Sequence, residues 1–238
     1  MTTVHSITSF KHFVELIGNM SLTVSDKIGF LIIFRGQEED WSLLPKIGRY
    51  NDLSNEKIEK TIFNEFKRRS YPNLDSNLKY NDWDLLALAQ HHRLPTRLLD
   101  WTGNPLAALW FAFINEKKND LDRIVWCFLV REKELSDTSK GSPFQQKKTK
   151  VFRPNHITKR IISQDGWFTV HWFAEDNKII PLNDNTIYYK RLFKFKIPES
   201  QRNDVLKRLD AMGANSSSLF PDLEGLSSYL EWKTFKRI

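Results

Sequence analysis

Residues 96–113 read TRLLDWTGNPLAALWFAF, and this stretch separates the fold classes open to the chain. Thr96 to Thr102 is short and reads as extended. Side chains alternate along a strand, so Asp100 and Thr102 share one face while Arg97 and Leu99 share the other. Asn104 then offers an N-cap. Pro105 takes the first helical position, where its missing N–H costs nothing. The helix to about Phe113 is apolar on nearly every face, which predicts burial. A polar pair, Asp100 with Thr102, thus stands at a strand-to-helix junction beside a helix N-terminus. Such a place attracts anions; the same pair equally suits capping and turning the chain.

On the N-terminal side, Trp83 to His91 reads as a helix capped by Asn81 or Asp82. Asn55 to Arg69 repeats Ile58, Ile62, Phe63 and Phe66 at helical spacing. Ile28 to Phe34 is a continuous apolar run that suits a buried strand ending at Arg35-Gly36. Ser9 caps a first helix through about Leu16, with Phe10, Phe13 and Val14 on one face and Gly18 ending it. On the C-terminal side, Ile124 to Val130 and Trp167 to Trp172 read as strands. Leu192 to Ile197 alternates, with Phe193, Phe195 and Ile197 opposite Lys194 and Lys196, until Pro198 stops it. Gln201 to Met212 reads as a helix ended by Gly213, and Gly225 to Phe235 as another. Strands and helices do not alternate strictly. The expectation is α+β: one compact domain over residues 1–238, with a mixed central sheet and flanking helices.

The chain has 238 residues and a formal net charge of +7. Its 17 Phe, 6 Tyr and 8 Trp suffice for a sizeable core, and 27% charged residues is a globular value. The longest apolar run, Pro105 to Ile114, is too short to cross a bilayer of about 30 Å. Met1 to Phe10 shows no basic start and no apolar core of a secretory signal. Cys127 is the only cysteine, which excludes an internal disulfide and a multi-thiolate metal site. A cytoplasmic location is expected. The excess positive charge biases encounters toward polyanions. It concentrates in a basic loop at 136–150 and just beyond. Lys147, Lys148, Lys150, Arg153 and Arg160 form either a solvated segment or a phosphate-contacting one.

Several side chains could carry chemistry. Arg35 follows an apolar run, where desolvating an arginine without a partner is expensive. Its planar fork suits a phosphate or a carboxylate, and an internal aspartate would serve as well. Gly36 beside it would let a ligand approach the backbone. His91 and His92 are adjacent and lack the i, i+4 spacing of a helical zinc pair, so no metal is expected. His91 reads as a general acid or base, or as a core histidine. Cys127, inside an apolar strand, reads as packing. Asp222 and Glu224 read as partners for Arg35 or Arg97, or as caps of the last helix. No GxSxG, P-loop or GxGxxG is present, which withdraws the usual hydrolase, NTPase and Rossmann readings.

These residues together resemble the FRG domain family. The resemblance is carried by Phe34-Arg35-Gly36, Gln90-His91, Leu94 to Thr102, Asn104-Pro105 and the helix Ala107 to Ala112. It continues through Arg153-Pro154, Arg160, Gln164, Gly166, Phe168 and Ser218 to Gly225, covering about residues 8–232. Where the family usually has glycine after its histidine pair, this chain has Arg93. The resemblance implies bacterial and prophage settings, with toxin–antitoxin or anti-phage contexts and an antitoxin protein as partner.

The strand ending in Phe34-Arg35-Gly36 is also similar, more weakly, to the first signature strand of arginine-type ADP-ribosyltransferases. That similarity implies a related fold, NAD as co-substrate, and Arg35 on its phosphate or ribose. Leu98 to Thr102 with the Asn104 helix looks like the second element of that family. Its third signature is usually a glutamate on a later strand; Gln164 stands there here, and Glu224 is the other candidate.

The leading expectation is therefore an NAD-dependent ADP-ribosyltransferase acting on nucleic acid. Glu224, Gln164, His91 and Asp100 are its candidate catalytic residues. Arg35, Gly36, Arg97 and Thr102 are its candidate cofactor contacts. The alternatives are a metal-independent nuclease using His91 with Arg35 and Arg97, and a non-catalytic module binding nucleic acid or a partner.

Overall fold

The computed structural model describes residues 2–25, 29–50, 55–116, 120–155 and 158–236. In chain order its elements are Thr3–Ser6 (β1), Phe10–Ser25 (α1), Phe30–Gln37 (β2), Asn55–Ser70 (α2), Asp82–His91 (α3), Leu98–Thr102 (β3) and Pro105–Phe113 (α4). Arg123–Arg131 (β4), Lys150–Phe152 (β5), Lys159–Ser163 (α5), Gly166–Val170 (β6) and Leu192–Ile197 (β7) follow. Arg202–Ala211 (α6), Ser216–Leu219 (α7) and Leu223–Glu231 (α8) complete the set, and α8 runs on into a π-helical turn, Trp232–Lys236.

One seven-stranded sheet organises these elements, in the order β1-β7-β4-β2-β3-β6-β5. Among the described strands only β1 and β7 pair in parallel; the other ladders are antiparallel. The sheet is mixed and the class is α+β, as expected. No described helix is long and apolar enough to cross a membrane.

Each face is read from strand alternation. On β4, Val125 and Cys127 join one cluster while Ile124, Trp126, Phe128 and Val130 join another. The first cluster holds α1, α4 and α6 against β2, β4 and β7 through Phe13, Ala108, Phe113, Val205 and Phe195. On the same face, α2 and α3 cover β3, β5 and β6 through Phe63, Trp83, Leu98, Phe152 and Phe168. The opposite face is closed by connecting segments carrying Leu43, Leu182 and Tyr188. Cys127 is fully buried and desolvation pushes its thiol pKa far up, which fits packing.

Local chemistry explains the sharpest boundaries. Asn104 Oδ1 accepts from the N–H groups of Leu106 and Ala107, and Pro105 opens α4. Asn81 and Asp84 form a capping box at the start of α3. At the far end of α4, Arg123 donates to the carbonyls of Ala112 and Asn115 and pairs with Glu199.

Several expectations need correction. α1 runs to Ser25, through Gly18, and its buried face is Phe10, Phe13 and Ile17; Val14 is exposed. β2 does not end at Arg35-Gly36 but continues to Gln37, because β4 pairs with it through Gln37↔Ile124. β6 ends at Val170 rather than Trp172. The basic loop is pinned by Asn81, Ser142 and Tyr188, and Lys150 already belongs to β5. α4 is buried as expected, through Ala107 to Trp110, Ala112 and Phe113, with Phe111 half-buried on its open side.

Candidate functional site

The site begins at a flaw in the sheet. β2 pairs with β4 along its whole length, but with β3 through a single rung, Phe34↔Thr102. Past that rung the two strands part. A strand carbonyl without a ladder partner is costly to leave unpaired. Arg35 supplies the partner: Nη1 donates to the main-chain oxygen of Asp100 at 2.8 Å and lies 3.7 Å from the Asp100 carboxylate. A cavity of about 410 Å³ opens at this split.

The orientation of Asp100 is set by a relay. Thr96 Oγ1 accepts from the N–H of Leu98 and donates to Gln90 Oε1 at 2.5 Å. With its carbonyl end engaged, Gln90 turns Nε2 outward and donates to Asp100 Oδ2 at 3.0 Å. The Asp100 side chain stays 56% exposed, facing the opening. α3 supplies Gln90, the start of the 96–102 segment supplies the lock, and β3 supplies the carboxylate.

Aromatic and cationic groups form the walls. Trp41, Phe111 and Phe220 line the cavity, while Trp101 reaches it only from the buried core beneath. Arg160 lies 4.8 Å from the Phe220 ring centroid and donates from Nε and Nη2 to Asp222 Oδ2. Its Nη2 also reaches Glu224 at 3.2 Å. Gln164 Nε2 donates to the Leu219 carbonyl, tying the α7 turn to the cleft. His91 is held below its ordinary pKa by partial burial, His92 and Arg160, against Asp100 and Asp222. It is therefore a neutral base at pH 7. Burial, then Arg49, lowers the pKa of Arg35, while Asp100 raises it. A cation, a fixed carboxylate, a neutral imidazole and flat apolar walls suit a ligand with aromatic rings and anionic groups.

Residues 31–121 match the FRG domain. The matched segment runs from β2 to the end of the α4 region, so it contains Arg35, Gln90, His91 and Asp100. The FRG match thus covers the cleft floor and the relay. The far wall, with Arg160, Gln164 and Phe220, lies outside it. No curated protein matches the chain, and no solved structure does.

The cleft brings together Arg35, Gly36, His91, Asp100, Thr102, Arg160 and Gln164. Arg97 is a correction: it is sealed in the core, not on a cofactor. Its Nε donates to Glu59 Oε2 at 2.8 Å, its backbone N–H to Glu59 Oε1, and its guanidinium stacks between Phe144 and Phe173. Asp222 and Glu224 pair with Arg160, not with Arg35 or Arg97, and Asp222 also caps α8. Glu224 is 83% exposed and does not line the cavity, because its turn stops at the outer rim.

Thr102 is nearly buried, donating to the Gln164 carbonyl and accepting from Asn104 N–H; it turns the chain. The space beside Gly36 belongs to α4 rather than to a ligand, since a Cβ there would lie 1.9 Å from the Ala108 carbonyl. The basic run is divided as well. Lys147 and Lys148 are exposed, Lys150 donates to the Lys133 carbonyl, and Arg153 pairs with Asp165 over Trp167. Arg160 alone among them reaches the cleft.

Sequence reasoning assigned no role to Gln90, Arg93, Trp41, Phe111 or Phe220. The available signal was Thr96 six residues after Gln90, two short polar groups flanking a Leu-Pro turn. The three aromatics come from separate segments and carry no local signal.

Proposed function

We propose that the chain is an NAD-dependent ADP-ribosyltransferase working at the β2–β3 split. One observation carries this reading: the Asp100 carboxylate, fixed by Gln90 and Arg35, faces an aromatic-walled cleft. The donor set fits a dinucleotide. Arg35 Nε is buried with no hydrogen-bond partner among the described residues, and the aromatic walls suit flat rings.

When bound, NAD supplies a ribose carbon whose bond to nicotinamide breaks, the bonding pair leaving with nicotinamide, while an acceptor nucleophile bonds to that carbon and loses a proton. Arg35 and Arg160 hold anionic groups. Asp100 presents negative charge where positive charge develops, a preorganised electrostatic task. Neutral His91 takes the acceptor proton on a ring nitrogen. A nucleic acid is the acceptor favoured by the net charge of +7. A toxin or anti-phage role, with an antitoxin partner, follows from the family resemblance.

The test is incubation with labelled NAD and separate pools of RNA, DNA and protein. Label transferred to the nucleic-acid pools, and lost in both Arg35→Lys and Asp100→Asn, is the expected result. Absence of NAD binding by folded protein overturns the reading. A second reading, metal-independent nucleic-acid cleavage, is favoured by neutral His91 beside Arg160. Cleavage without NAD, abolished in His91→Ala, would select it.

A further inference from the structure

A second cavity, about 380 Å³, adjoins the cleft and is lined by His91, His92, Arg93, Arg160 and Asp222. His91, Arg93 and Arg160 line both spaces, so the two stand side by side. Arg93 is the unusual member. It follows the end of α3 with φ +66, the left-handed conformation that helix C-termini normally give to glycine. Its N–H donates to the Gln90 carbonyl and its own carbonyl accepts from Lys46 Nζ. The backbone is thus fully engaged in a turn that a side chain strains. The exposed Arg93 guanidinium makes no hydrogen bond or ion pair with any described residue. A strained position bearing a long unpaired cation that points at a cavity is poorly explained by folding.

Arg160, across the cavity, is held by Asp222 and Glu224 through Nε and Nη2, which leaves Nη1 for a further acceptor. Among the described residues, Asp222 is the one carboxylate lining the space. Asp222 and Glu224 already engage Arg160, so the uncompensated charge is that of Arg93; its free fork, the open Nη1 of Arg160 and the ring nitrogens of the two histidines offer converging hydrogen-bond groups that match the oxygens of a phosphate.

We infer that this outer cavity is a phosphate subsite, in which Arg93 and Arg160 hold the phosphate group of a nucleotide acceptor, free or at the end of a strand. The inference deepens the transferase reading by naming the chemistry of the second substrate. It places that substrate next to His91 and Asp100 rather than on the divided basic loop.

The test is equilibrium binding without NAD, at fixed salt. A dye-labelled ten-nucleotide strand with a 5′-phosphate is compared with the same strand lacking it, and a nucleoside monophosphate and its nucleoside serve as competitors. The phosphate should tighten binding about tenfold, the scale of one charge-assisted contact. Preferential competition by the monophosphate would identify a free nucleotide as a source.

Arg93→Gly should abolish the difference between the two strands while its Tm stays equal or rises, because glycine suits the turn. Arg208→Ala, which removes the same charge from α6, should keep the difference. Equal binding of the two strands by the wild type, or an undiminished difference in Arg93→Gly, overturns the inference. Because NAD is absent throughout, failure here leaves NAD transfer standing, and failure of NAD transfer leaves this result standing.

Discussion

Arg35 donates to the main-chain oxygen of Asp100 at 2.8 Å while its guanidinium stands 3.7 Å from the same residue's carboxylate. One side chain therefore closes a missing rung of the sheet and sets the charge of the cleft. Arg35→Ala should remove both: losing a hydrogen bond at this exposed position costs about 0.5–1.5 kcal/mol, and NAD affinity should vanish with it. Arg35→Lys retains charge without the fork. It should recover most of the Tm but little of the affinity, as read by thermal unfolding and calorimetry side by side.

Thr96 acts at one remove from the cleft. Thr96→Val takes the hydroxyl from Gln90 and from the Leu98 N–H, with an expected cost of about 1–2 kcal/mol in stability. With Gln90 free to flip, Asp100 loses its fixed orientation. Transfer rate should fall more than NAD affinity, and steady-state kinetics over a range of NAD concentrations separates the two.

Gly36 and Gly103 look alike in sequence and should behave differently. A Cβ on Gly36 would meet the Ala108 carbonyl at 1.9 Å and the Ala112 nitrogen at 2.7 Å, both backbone. A Cβ on Gly103 would meet Asp165 Oδ2 at 1.9 Å, the end of a side chain that can swing away. Gly36→Ala must push α4 off the sheet and should cost about 3 kcal/mol or more, by overpacking of the core. Gly103→Ala should cost well under half of that in denaturant titrations.

Buried His171 gives the fold an acid-side limit. Desolvation first, then Arg35 and Arg97, push its pKa down to about 3, whereas an unfolded histidine titrates near 6.5. Between roughly pH 3 and 6.5 the unfolded chain binds more protons than the folded one. Stability from this residue is thus complete above that window and declines as pH falls through it, by up to about 1.4 kcal/mol per pH unit. His91, lowered in the same direction, adds to the slope. Tm measured between pH 7 and 5 should drop, and the drop should be shallower in His171→Gln.

Arg97 should prove structural. Arg97→Ala leaves Glu59 buried without its cation, at a cost of about 3–5 kcal/mol. Glu59→Gln at the other end of the pair should be milder, since an amide still accepts from the Arg97 guanidinium. Any loss of NAD binding in Glu59→Gln should track its loss of folded protein on a melting curve.

The parts of this molecule written in local chemistry could be read from its residues. The Asn104-Pro105 start of α4 and the Asn81 start of α3 are caps whose donors lie within three residues. Arg35 and Asp100 stand out because a cation after an apolar run and a carboxylate in a short strand are each conspicuous. The errors arose where the deciding partner is distant. β2 continues through Gly36 only because β4 offers a ladder. Arg97 turns inward because Glu59, from α2, meets both its backbone and its side chain. Gly18 suggests a helix end, but it does not take the positive φ that makes glycine a terminator. β1 has a half-polar sequence and is a strand only by virtue of its parallel pairing with β7.

The single rung between β2 and β3 divides the sheet into two slabs, β1-β7-β4-β2 and β3-β6-β5. Neither slab is a continuous length of chain. The polypeptide passes from one to the other between β2 and β3, β3 and β4, β4 and β5, and again between β6 and β7. The seam is thus weak in hydrogen bonds yet laced by four strands of covalent thread. A protease that nicks the exposed turn near Lys140 would leave both fragments represented in both slabs, so the cut protein should stay assembled around its cleft.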